Sequence, residues 1–467
     1  MTGERTYVDV AAQGIQHYIG RTPKLKGLRG ASARLSHATS AAEVEFFLAG
    51  SGLAAGIGAA VNPEAGEADG IVPVRFPAGP DPRRVAEQVA AYLREALPAI
   101  ELDGVWGTGA SYLEVYRDSM KSQRADPPLR SLPPVREFPP LETCAECRAD
   151  PAAGTIDIHE ERNVRVCLDC LQRYDDRYRR PTEVIRALGR DPMADTARDS
   201  NDLARLGGEG TNRNHIAIMY ADGNAIGAFF DRVIAHGDPG LKERISAGVS
   251  DATRAALREA TRAVAGPGAG TALPVVPHVV GGDDLIVSLT ADRAWPFTMA
   301  YLREFRDRVA RIDGLPPGLL EPVPPSASAG LVFAHSKFPF RRAAELAADQ
   351  LKAAKQRYHG AEPAVAWLDV TRDGEHPPAG QRPWRLDDLT GLAGALSALR
   401  EKVQPSGLAV LARLADPGRP ELALARITEH ARRLEREAVL TPFLGSGGPA
   451  ADAERIAGAL SLARWWR

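Results

Sequence analysis

Two segments of the chain combine strand-like and helix-like patterns of hydrophobic and polar residues. The first opens with TYVDVAA, a short apolar run typical of a strand, and continues to the helix pattern PRRVAEQVAAYLREAL and the run IELDGVWGTG. Strands that alternate with helices are typical of mixed α/β structure. The pattern predicts an α+β or α/β domain that ends near residue 125.

The second segment, roughly 196–375, repeats this style. NHIAIMYADG, ASAGLVFAHS and AVAWLDV are predicted strands, and TALPVVPHVV with LIVSL is a predicted hairpin. The predicted helices are NAIGAFFDRVIAHG, SDATRAALREATRAVAG and RRAAELAADQLKAAKQR. The order β-α-α-β-β-β-α-β predicts an antiparallel sheet packed on one side by helices, as in a ferredoxin-like palm.

Proline and glycine punctuate the chain between these segments. ADPPLRSLPPVREFPP (125–140) is typical of an extended linker, and DGLPPGLLEPVPPSASAG (313–330) and DGEHPPAGQRP (373–383) are similar in composition. From Leu386 onward, Leu, Ala, Arg and Glu recur at helical spacing. This last part is therefore predicted to be helical.

Composition narrows the class of protein. The 467 residues suffice for about three domains. The 58 basic and 60 acidic residues leave a net charge of −2, so no global basic field indicates nucleic-acid binding, although a local basic groove remains open. The first residues lack a signal-peptide pattern, and no apolar run approaches the ~18 residues that span a bilayer. These features predict a cytoplasmic protein without membrane contact.

Four cysteines form two close pairs, Cys144 with Cys147 and Cys167 with Cys170. Two Cys-x-x-Cys turns can supply the four thiolates that Zn²⁺ favours in closed structural sites, which leave no position for a substrate. Two disulfides or a redox pair are the alternatives, and a reducing compartment disfavours both. We therefore predict a structural zinc site.

These patterns together predict four parts. Residues 1–125 form a first palm-like domain, and 126–195 hold the Pro-rich linker and the four-cysteine zinc module. Residues 196–375 form the second, catalytic palm, and 376–467 form the C-terminal helical domain. The predicted fold class is α+β, with two ferredoxin-like palms.

Carboxylates lie at two predicted turns of the second segment. Asp222 follows an apolar strand, and Asp283 and Asp284 follow Gly281 and Gly282 at the hairpin tip in HVVGGDDLIVSL. Adjacent strands can bring these acids together, and Mg²⁺ prefers such oxygen ligands along with phosphates and water. Two ions could activate an attacking hydroxyl and neutralise pyrophosphate.

The glycines fit the same hypothesis. Gly281 and Gly282 would allow positive φ at the hairpin tip and a close approach of substrate. Residues Gly223 to Gly227 would open a helix whose free amides receive phosphate oxygens. Ordinary turn chemistry is the alternative for either motif alone, but turns give no reason for two adjacent acids between apolar strands.

Several motifs resemble one family, the large polymerase/cyclase subunit of type III CRISPR effectors. ADGNAIG resembles its Ala-Asp-Gly-Asp-Asn-x-Gly motif, VVGGDDLIVSL its Gly-Gly-Asp-Asp hairpin, and GLVFAHSKFPFRRAAELAADQLKAAK (330–355) its lysine-bearing strand and helix. The four-cysteine insertion agrees, and VDVAAQGIQHYIGRTPKLKGLRGASARLS is similar to the family's first palm. The resemblance spans about residues 6–375.

This resemblance implies synthesis of cyclic oligoadenylates from ATP, in which a 3′-hydroxyl attacks an α-phosphate and pyrophosphate leaves. Asp222, Asp283 and Asp284 would match the family's catalytic, metal-binding acids for Mg²⁺ or Mn²⁺. Lys337 and Lys355 would neutralise the triphosphate, unless they are ordinary surface lysines; Arg341 and Arg342 are weaker candidates. The predicted nucleotide-binding residues are Gly223, Asn224, Ala225, Ile226, Gly227, Gly281, Gly282, Lys337 and Lys355.

The chain departs from the family in three respects. None of its ten histidines precedes an aspartate, so DNA cleavage by a His-Asp nuclease domain is expected to be absent. Asn224 stands where the motif has a second acid, and it cannot replace a carboxylate as a charge. The chain is also short, which leaves open a standalone synthase or a compact subunit with RNA and CRISPR effector partners, and a homo-oligomer.

Two other functions stay open. A dinucleotide cyclase resembling the GGDEF family, or a mononucleotide cyclase, would use a similar palm, but the tandem palm with zinc favours the CRISPR family. A scaffold subunit that binds nucleotide without turnover is the second alternative, and the three acids argue against it. The first palm is expected to complete a second nucleotide pocket, for which Ser32 and Arg34 are candidates.

Overall fold

The computed structural model of the protein describes residues 3–22, 25–66, 70–133, 142–158, 161–175, 200–207, 213–265, 273–316, 318–378, 380–415, 418–445 and 447–466. These residues form two large sheets with their helices, one two-stranded sheet and a group of C-terminal helices.

The first sheet has five strands in the order β2-β3-β1-β4-β5, and every neighbouring pair is antiparallel. Its strands are β1 (Arg5–Gln13), β2 (Ala60–Val61), β3 (Ile71–Pro77), β4 (Glu101–Gly109) and β5 (Leu129–Ser131). The helices of this unit are α1 (Ile15–Ile19), α2 (Leu25–Ala38), α3 (Ala41–Gly50), α4 (Leu53–Ile57), α5 (Pro82–Ala96), α6 (Tyr112–Val115) and α7 (Lys121–Gln123), and a π-helical turn (Tyr116–Met120) joins the last two. Helix α5 begins after Asp81, whose side chain accepts a bond from the Arg83 amide and so caps a first-turn amide.

The second sheet has six strands in the order β13-β12-β11-β8-β10-β9. Its strands are β8 (His215–Asn224), β9 (Val275–Gly281), β10 (Asp284–Thr290), β11 (Ser326–His335), β12 (Ala364–Asp369) and β13 (Trp384–Arg385). The helices between them are α10 (Ile226–His236), α11 (Pro239–Val264), α12 (Ala294–Val309), α13 (Phe340–Arg357) and α14 (Val370–Asp373), and α9 (Ser200–Arg205) precedes β8.

Both sheets share the strand order of a ferredoxin-like fold. Numbered within each unit, the first four strands lie in the order 4-1-3-2: β4-β1-β3-β2 in the first sheet and β11-β8-β10-β9 in the second. In the second unit, α11 and α12 are the helices that connect this four-stranded core. The predicted fold class, α+β with two ferredoxin-like palms, is confirmed.

Three details of the predicted second palm are wrong. The predicted order omits α12, which lies between β10 and β11; it is rich in aromatic residues, which favour strands as readily as buried helices. The sheet is mixed, because β11 and β12 run parallel. Helices cover both faces: Met219 of β8 packs in one hydrophobic core with α11 and α12, whereas Ile218 packs in another with α13 and the first palm.

The sequence predicts that the last part of the chain is helical, and in its described residues five α-helices follow the second sheet. They are α15 (Leu386–Gly391), α16 (Ala393–Lys402), α17 (Pro405–Leu414), α18 (Pro420–Arg433) and α19 (Pro449–Ala463). After α19, Trp465 and Trp466 are buried in the hydrophobic core of the second sheet, near Trp295. The C-terminal helices and the second palm thus share one core, and the predicted boundary at residue 376 stays a prediction.

A small module lies between the palms in sequence and packs on the first. The hairpin of β6 (Gly154–Ile158) and β7 (Glu161–Val166) precedes α8 (Leu168–Arg173). Helix α8 crosses α2 so closely that a Cβ on Gly30 would lie 1.9 Å from the Arg173 carbonyl oxygen. The Arg173 guanidinium is buried and donates to the carbonyls of Tyr18 and Ile19 at 2.6 and 3.1 Å. The module is therefore fixed to the wall of the first palm.

Within the predicted linker and four-cysteine region, 126–195, residues 134–141, 159–160 and 176–195 lie outside the described residues. In the ranges that the structure does describe, none of the helices has the length and apolar content to cross a membrane.

Candidate active site between the two sheets

The acids of the second palm meet because of the register of two antiparallel strands. Leu285 of β10 pairs with Ala221 of β8, so the next position in each strand sets Asp284 beside Asp222. Ile286 and Tyr220 lie two positions further into the same strands and belong to the hydrophobic core that faces the first palm. Side chains two positions apart in a strand lie on the same face of the sheet. Asp222 and Asp284 therefore project toward the first palm.

The hairpin tip consists of two residues, Gly282 and Asp283, since Gly281 pairs with Asp284. Gly282 has a φ of 56°, which favours glycine, and its carbonyl accepts a bond of 2.6 Å from the Thr253 hydroxyl on α11. The prediction of positive φ is wrong for Gly281, because that residue completes a strand pair.

Gly223 allows the hairpin tip to approach β8. A Cβ on this residue would lie 2.4 Å from the Oδ2 atom of Asp283. The missing side chain thus leaves room for the carboxylate of Asp283 beside the strand end, which explains why Asp222 is followed by glycine.

Burial and crowding raise the pKa values of two of these carboxyl groups, Asp283 and Asp284. Burial, together with the charge of Asp222, raises the pKa of Asp283 to about 6. Burial and the charges of Asp222 and Asp283 raise the pKa of Asp284 to about 8. A divalent cation would favour the ionised forms, because opposite charge lowers the pKa of a carboxyl group. The donor set, three partly buried carboxylates at one edge of the sheet, fits Mg²⁺ or Mn²⁺.

Lys355 reaches this edge from α13. Its ammonium forms an ion pair with Asp222 and donates to the Gly223 carbonyl at 2.7 Å. The ion pair occupies the carboxylate that a metal would need, so a cation and Lys355 would compete for Asp222. Lys355 is also a cation that could receive a phosphate at the strand end.

The structure does not bring Lys337 to the acids. Ser328 of β11 pairs with Asp222, whereas His335, at the far end of the same strand, pairs with His215. Seven residues of strand at ~3.3 Å each separate Ser328 from His335, or roughly 23 Å, and Lys337 lies beyond. Arg341 is exposed and Arg342 is half-buried, and both form ion pairs with Glu345.

The residues after Gly223 form the predicted strand-to-helix turn. Asn224 is buried, and its amide donates to Ser326, Ser328 and the Glu362 carbonyl at 3.1, 2.9 and 3.3 Å. Its side chain thus holds the strand end to β11, instead of facing a phosphate. Ala225 adopts a left-handed φ of 58°, and α10 begins at Ile226, which is buried, and contains Gly227.

A cavity of about 340 Å³ separates the two palms at this edge. Gly281, Gly282, Asp283 and Asp284 line one wall, and Ser32 of α2 lines another. Arg34, the other candidate in α2, donates to the Ala96 carbonyl instead. Six charged or aromatic residues of this cavity were not predicted from the sequence: Asp9, Tyr112, Tyr116, Arg124, Phe230 and Lys242. Asp9 could have been found, because it interrupts the apolar strand TYVDVAA.

The four cysteines converge as their spacing predicts. All four sulfur atoms lie within 4.8 Å of one another, and no pair is bonded as a disulfide. Among the described residues, they form the one cluster of at least three potential ligand atoms at such mutual distances. Four thiols from two turns suit the tetrahedral preference of zinc, so the residues fit a structural Zn²⁺.

Comparisons with known proteins give a consistent family. Residues 215–361 match the family model "Cas10/Cmr2, second palm domain". Curated protein sequences give no match.

Solved structures extend the similarity beyond the second palm. A Csm1–Csm4 cassette in complex with pppApA aligns at a TM-score of 0.60 and 14% identity, covering 99% of this chain and 69% of that chain. A cassette in complex with cA4 aligns at 0.55 and 14%, covering 99% and 70%. Csm1 of T. onnurineus aligns at 0.59 and 14%, covering 98% and 69%. At such identities the likeness shows the fold. Residues 215–361 are thus similar to the second palm domain of the Cas10/Cmr2 family, and the chain has a Cas10-like palm fold.

Proposed function

We propose that this chain is a metal-dependent nucleotidyltransferase that makes cyclic oligoadenylates from ATP, in a CRISPR-type or related antiviral defence. The observation that carries the proposal is the meeting of Asp222, Asp283 and Asp284 at a sheet edge that faces a cavity between two palms. The structural neighbours support it, because they include Csm1–Csm4 cassettes in complex with pppApA and with cA4.

Asp222, Asp283 and Asp284 would hold Mg²⁺ or Mn²⁺. Bound there, divalent ions lower the pKa of an attacking 3′-hydroxyl and neutralise the leaving pyrophosphate. The tip residue Gly282 has open space where a side chain would be, so a nucleotide can approach the backbone. Lys355, released from Asp222, would pair with a phosphate, because its ammonium already reaches the strand end.

The cavity has room for nucleotide beside the acids, and α2 supplies part of its lining from the first palm.

We propose that the four-part domain division holds, with a first palm that closes the nucleotide site and a zinc module that braces α2. CRISPR effector subunits and RNA are the proposed partners, in keeping with the Csm4 chain that accompanies the similar Csm1 structures.

Product analysis tests this function. Purified protein is incubated with each nucleoside triphosphate and Mg²⁺ or Mn²⁺, with and without RNA, and the products are identified by mass spectrometry. We expect cyclic oligoadenylate from ATP, and its loss by at least about 100-fold in Asp283→Ala, because one metal ligand is removed. Asp251→Ala removes an exposed aspartate of α11 and should keep activity.

The alternatives give different outcomes. A cyclic dinucleotide or a cyclic mononucleotide as the main product would support the GGDEF-like or mononucleotide cyclase. Nucleotide binding without product under every condition would support the scaffold. Equal product from wild type and Asp283→Ala would contradict the assignment of the acids.

A further inference from the structure

The wall of the cavity opposite the acidic hairpin carries a buried charge cluster. Asp9 of β1 is 1% exposed, and its Oδ2 atom accepts bonds from the Tyr112 hydroxyl at 2.8 Å and from Arg124 at 3.4 Å. Its Oδ1 atom is buried and has no hydrogen-bond partner among the described residues. Buried carboxylates are normally fully hydrogen-bonded, so this arrangement needs an explanation.

The second cation of the cluster comes from the other palm. Lys242 of α11 donates through its ammonium to the Ala65 carbonyl of the first palm. The ammonium also lies 4.8 and 5.5 Å from the ring centres of Tyr112 and Tyr116, within the range of a cation–π contact. Burial lowers the pKa of Lys242 to about 8. The ammonium is therefore still charged at neutral pH, although burial disfavours the charge.

The charges of this wall do not balance. One carboxylate, Asp9, faces two cations, Arg124 and Lys242, while the opposite wall carries Asp283 and Asp284. The cavity is thus positive around Arg124 and Lys242 and negative at the hairpin. If metal holds one nucleotide at the hairpin, Arg124 and Lys242 still have no phosphate partner.

We propose that Arg124 and Lys242 form an anion-binding pair for the 5′-triphosphate of a nucleotide, and that Asp9 is an internal competitor which this triphosphate displaces. The inference rests on the proposed function, because it supplies the charge partner for a second nucleotide in the same cavity. The ligand chemistry is a 5′-triphosphate, carried either by ATP or by a linear oligoadenylate.

Arg124 is well placed for this role. Its guanidinium lies 5.4 Å from the Tyr116 ring centre and is partly exposed, so it can turn toward a ligand without leaving the ring. A planar guanidinium matches phosphate oxygens in pairs, and an ammonium adds a point charge. The two cations come from different palms, so the triphosphate would also hold the palms together.

Binding measured without metal tests the proposal apart from turnover. Inorganic triphosphate, ATP and adenosine are titrated into the full chain in EDTA by calorimetry. We expect Arg124→Gln and Lys242→Met to weaken binding of triphosphate and ATP by about 10-fold or more, since one charge-assisted bond is lost. Adenosine binding should stay unchanged. Asp9→Asn should bind triphosphate more tightly than wild type.

Lys121→Gln is the matched control, because Lys121 lies three residues before Arg124 but pairs with exposed Asp231 at 2.6 Å. Its triphosphate affinity should equal that of wild type. Arg124 is partly exposed, so Arg124→Gln is expected to fold even where Lys242→Met or Asp9→Asn does not. Wild-type triphosphate affinity in Arg124→Gln overturns the proposal.

The outcome is independent of catalysis. If Arg124→Gln binds triphosphate weakly and wild type makes no product, the anion-binding pair stands and the proposed reaction fails. If product forms while triphosphate affinity is equal in all variants, the reaction stands and the anion-binding pair fails. A linear oligoadenylate with a 5′-triphosphate, titrated in the same way, shows whether the pair prefers it to ATP.

Discussion

Asp222, Asp283 and Asp284 come from two motifs some sixty residues apart and share one low-dielectric edge. Burial, and after it the repulsion from the neighbouring carboxylates, raises the pKa of Asp283 to about 6 and that of Asp284 to about 8. Lys355 offsets part of the charge through its ion pair with Asp222. The site is therefore strained electrostatically until a cation binds, which is common at functional sites.

The raised pKa of Asp284 predicts how stability depends on pH. An unfolded aspartate titrates near 3.9, so between about pH 4 and 8 the folded chain holds a proton that the unfolded chain has lost. The free energy of unfolding must then fall as pH rises through that window. Asp284→Asn has no carboxyl group at this position, so its free energy of unfolding should not fall in this way. In EDTA its Tm should exceed that of wild type by roughly 2–4 °C at pH 8.5, with little difference at pH 5.

Calorimetric melting of both proteins across this range provides the measurement. Asp251→Asn, on the exposed face of α11, should follow wild type at every pH. A constant difference between Asp284→Asn and wild type from pH 5 to 8.5 would contradict the raised pKa.

Lys355 gives a second prediction at this scale. Lys355→Met removes the cation that competes for Asp222, so the nucleotide-free protein should bind Mn²⁺ about 3- to 10-fold more tightly. Mn²⁺ binding is measured by electron paramagnetic resonance. Lys337→Met is the matched control, since Lys337 is exposed and lies beyond the far end of β11. Equal Mn²⁺ affinities of wild type and Lys355→Met would show that the ion pair does not compete with metal.

A glycine allows strand β11 to pack with its backbone against the backbone of helix α13. A Cβ on Gly330 of β11 would lie 2.0 Å from the Ala347 carbonyl oxygen and 2.4 Å from the Leu351 nitrogen of α13. Helix α13 carries Lys355, so this contact sets how far the lysine reaches toward Asp222. The packing of one strand on one helix thus bears directly on the site.

Gly330→Ala should therefore lower the free energy of unfolding by more than about 3 kcal/mol, because the clash is with backbone that cannot turn aside. Gly394→Ala is the control: that glycine lies in α16 with nothing within 4 Å of its missing Cβ, and alanine favours helix. It should be neutral or stabilising by up to ~1 kcal/mol. Urea denaturation measures both; similar unfolding midpoints would refute the close contact.

The cysteine module supports a prediction about metal. Cys144→Ser should remove the bound zinc, measured by elemental analysis of the purified protein, and lower the Tm, since structural zinc contributes folding energy. Loss of the module should also loosen α2, because Arg173 ties α8 to the carbonyls before that helix. Increased amide hydrogen exchange in residues 25–38 would report this; unchanged zinc content would contradict the site.

At the scale of the whole molecule, the last residues of the chain complete the core of the second palm. Trp465 stacks on Phe333 of β11 with ring centres 5.2 Å apart, and its indole donates to buried Asp369 at 2.9 Å. Arg464 donates to the same carboxylate at 2.7 Å. The C-terminal helices are therefore bound into the palm rather than appended to it.

Trp465→Ala should cost about 3–5 kcal/mol of unfolding free energy, since it leaves a cavity and removes a donor from a buried carboxylate. Leu422→Ala, at a 38% exposed position of α18, should change it by less than ~0.5 kcal/mol. Chemical denaturation distinguishes the two. A small effect of Trp465→Ala would mean that the C-terminal helices fold separately from the palm.

The sequence by itself determined the local chemistry: the strand before Asp222, the hairpin before Asp284, the two cysteine pairs and the helical C-terminus. These follow from short-range periodicity and turn preferences, which act between residues close in the chain. The sequence pattern also predicted the ferredoxin-like order of the second palm, apart from α12, whose aromatic residues are compatible with either a strand or a buried helix.

Only the tertiary structure decided which distant residues share a site. Lys337 and Lys355 look alike in sequence, but β11 carries one away from Asp222 and α13 brings the other to it. Asp9, Arg124 and Lys242 meet across two palms, and no local pattern joins positions more than a hundred residues apart. Such contacts depend on strand register and on packing of whole units, which long-range burial fixes and short-range propensity does not.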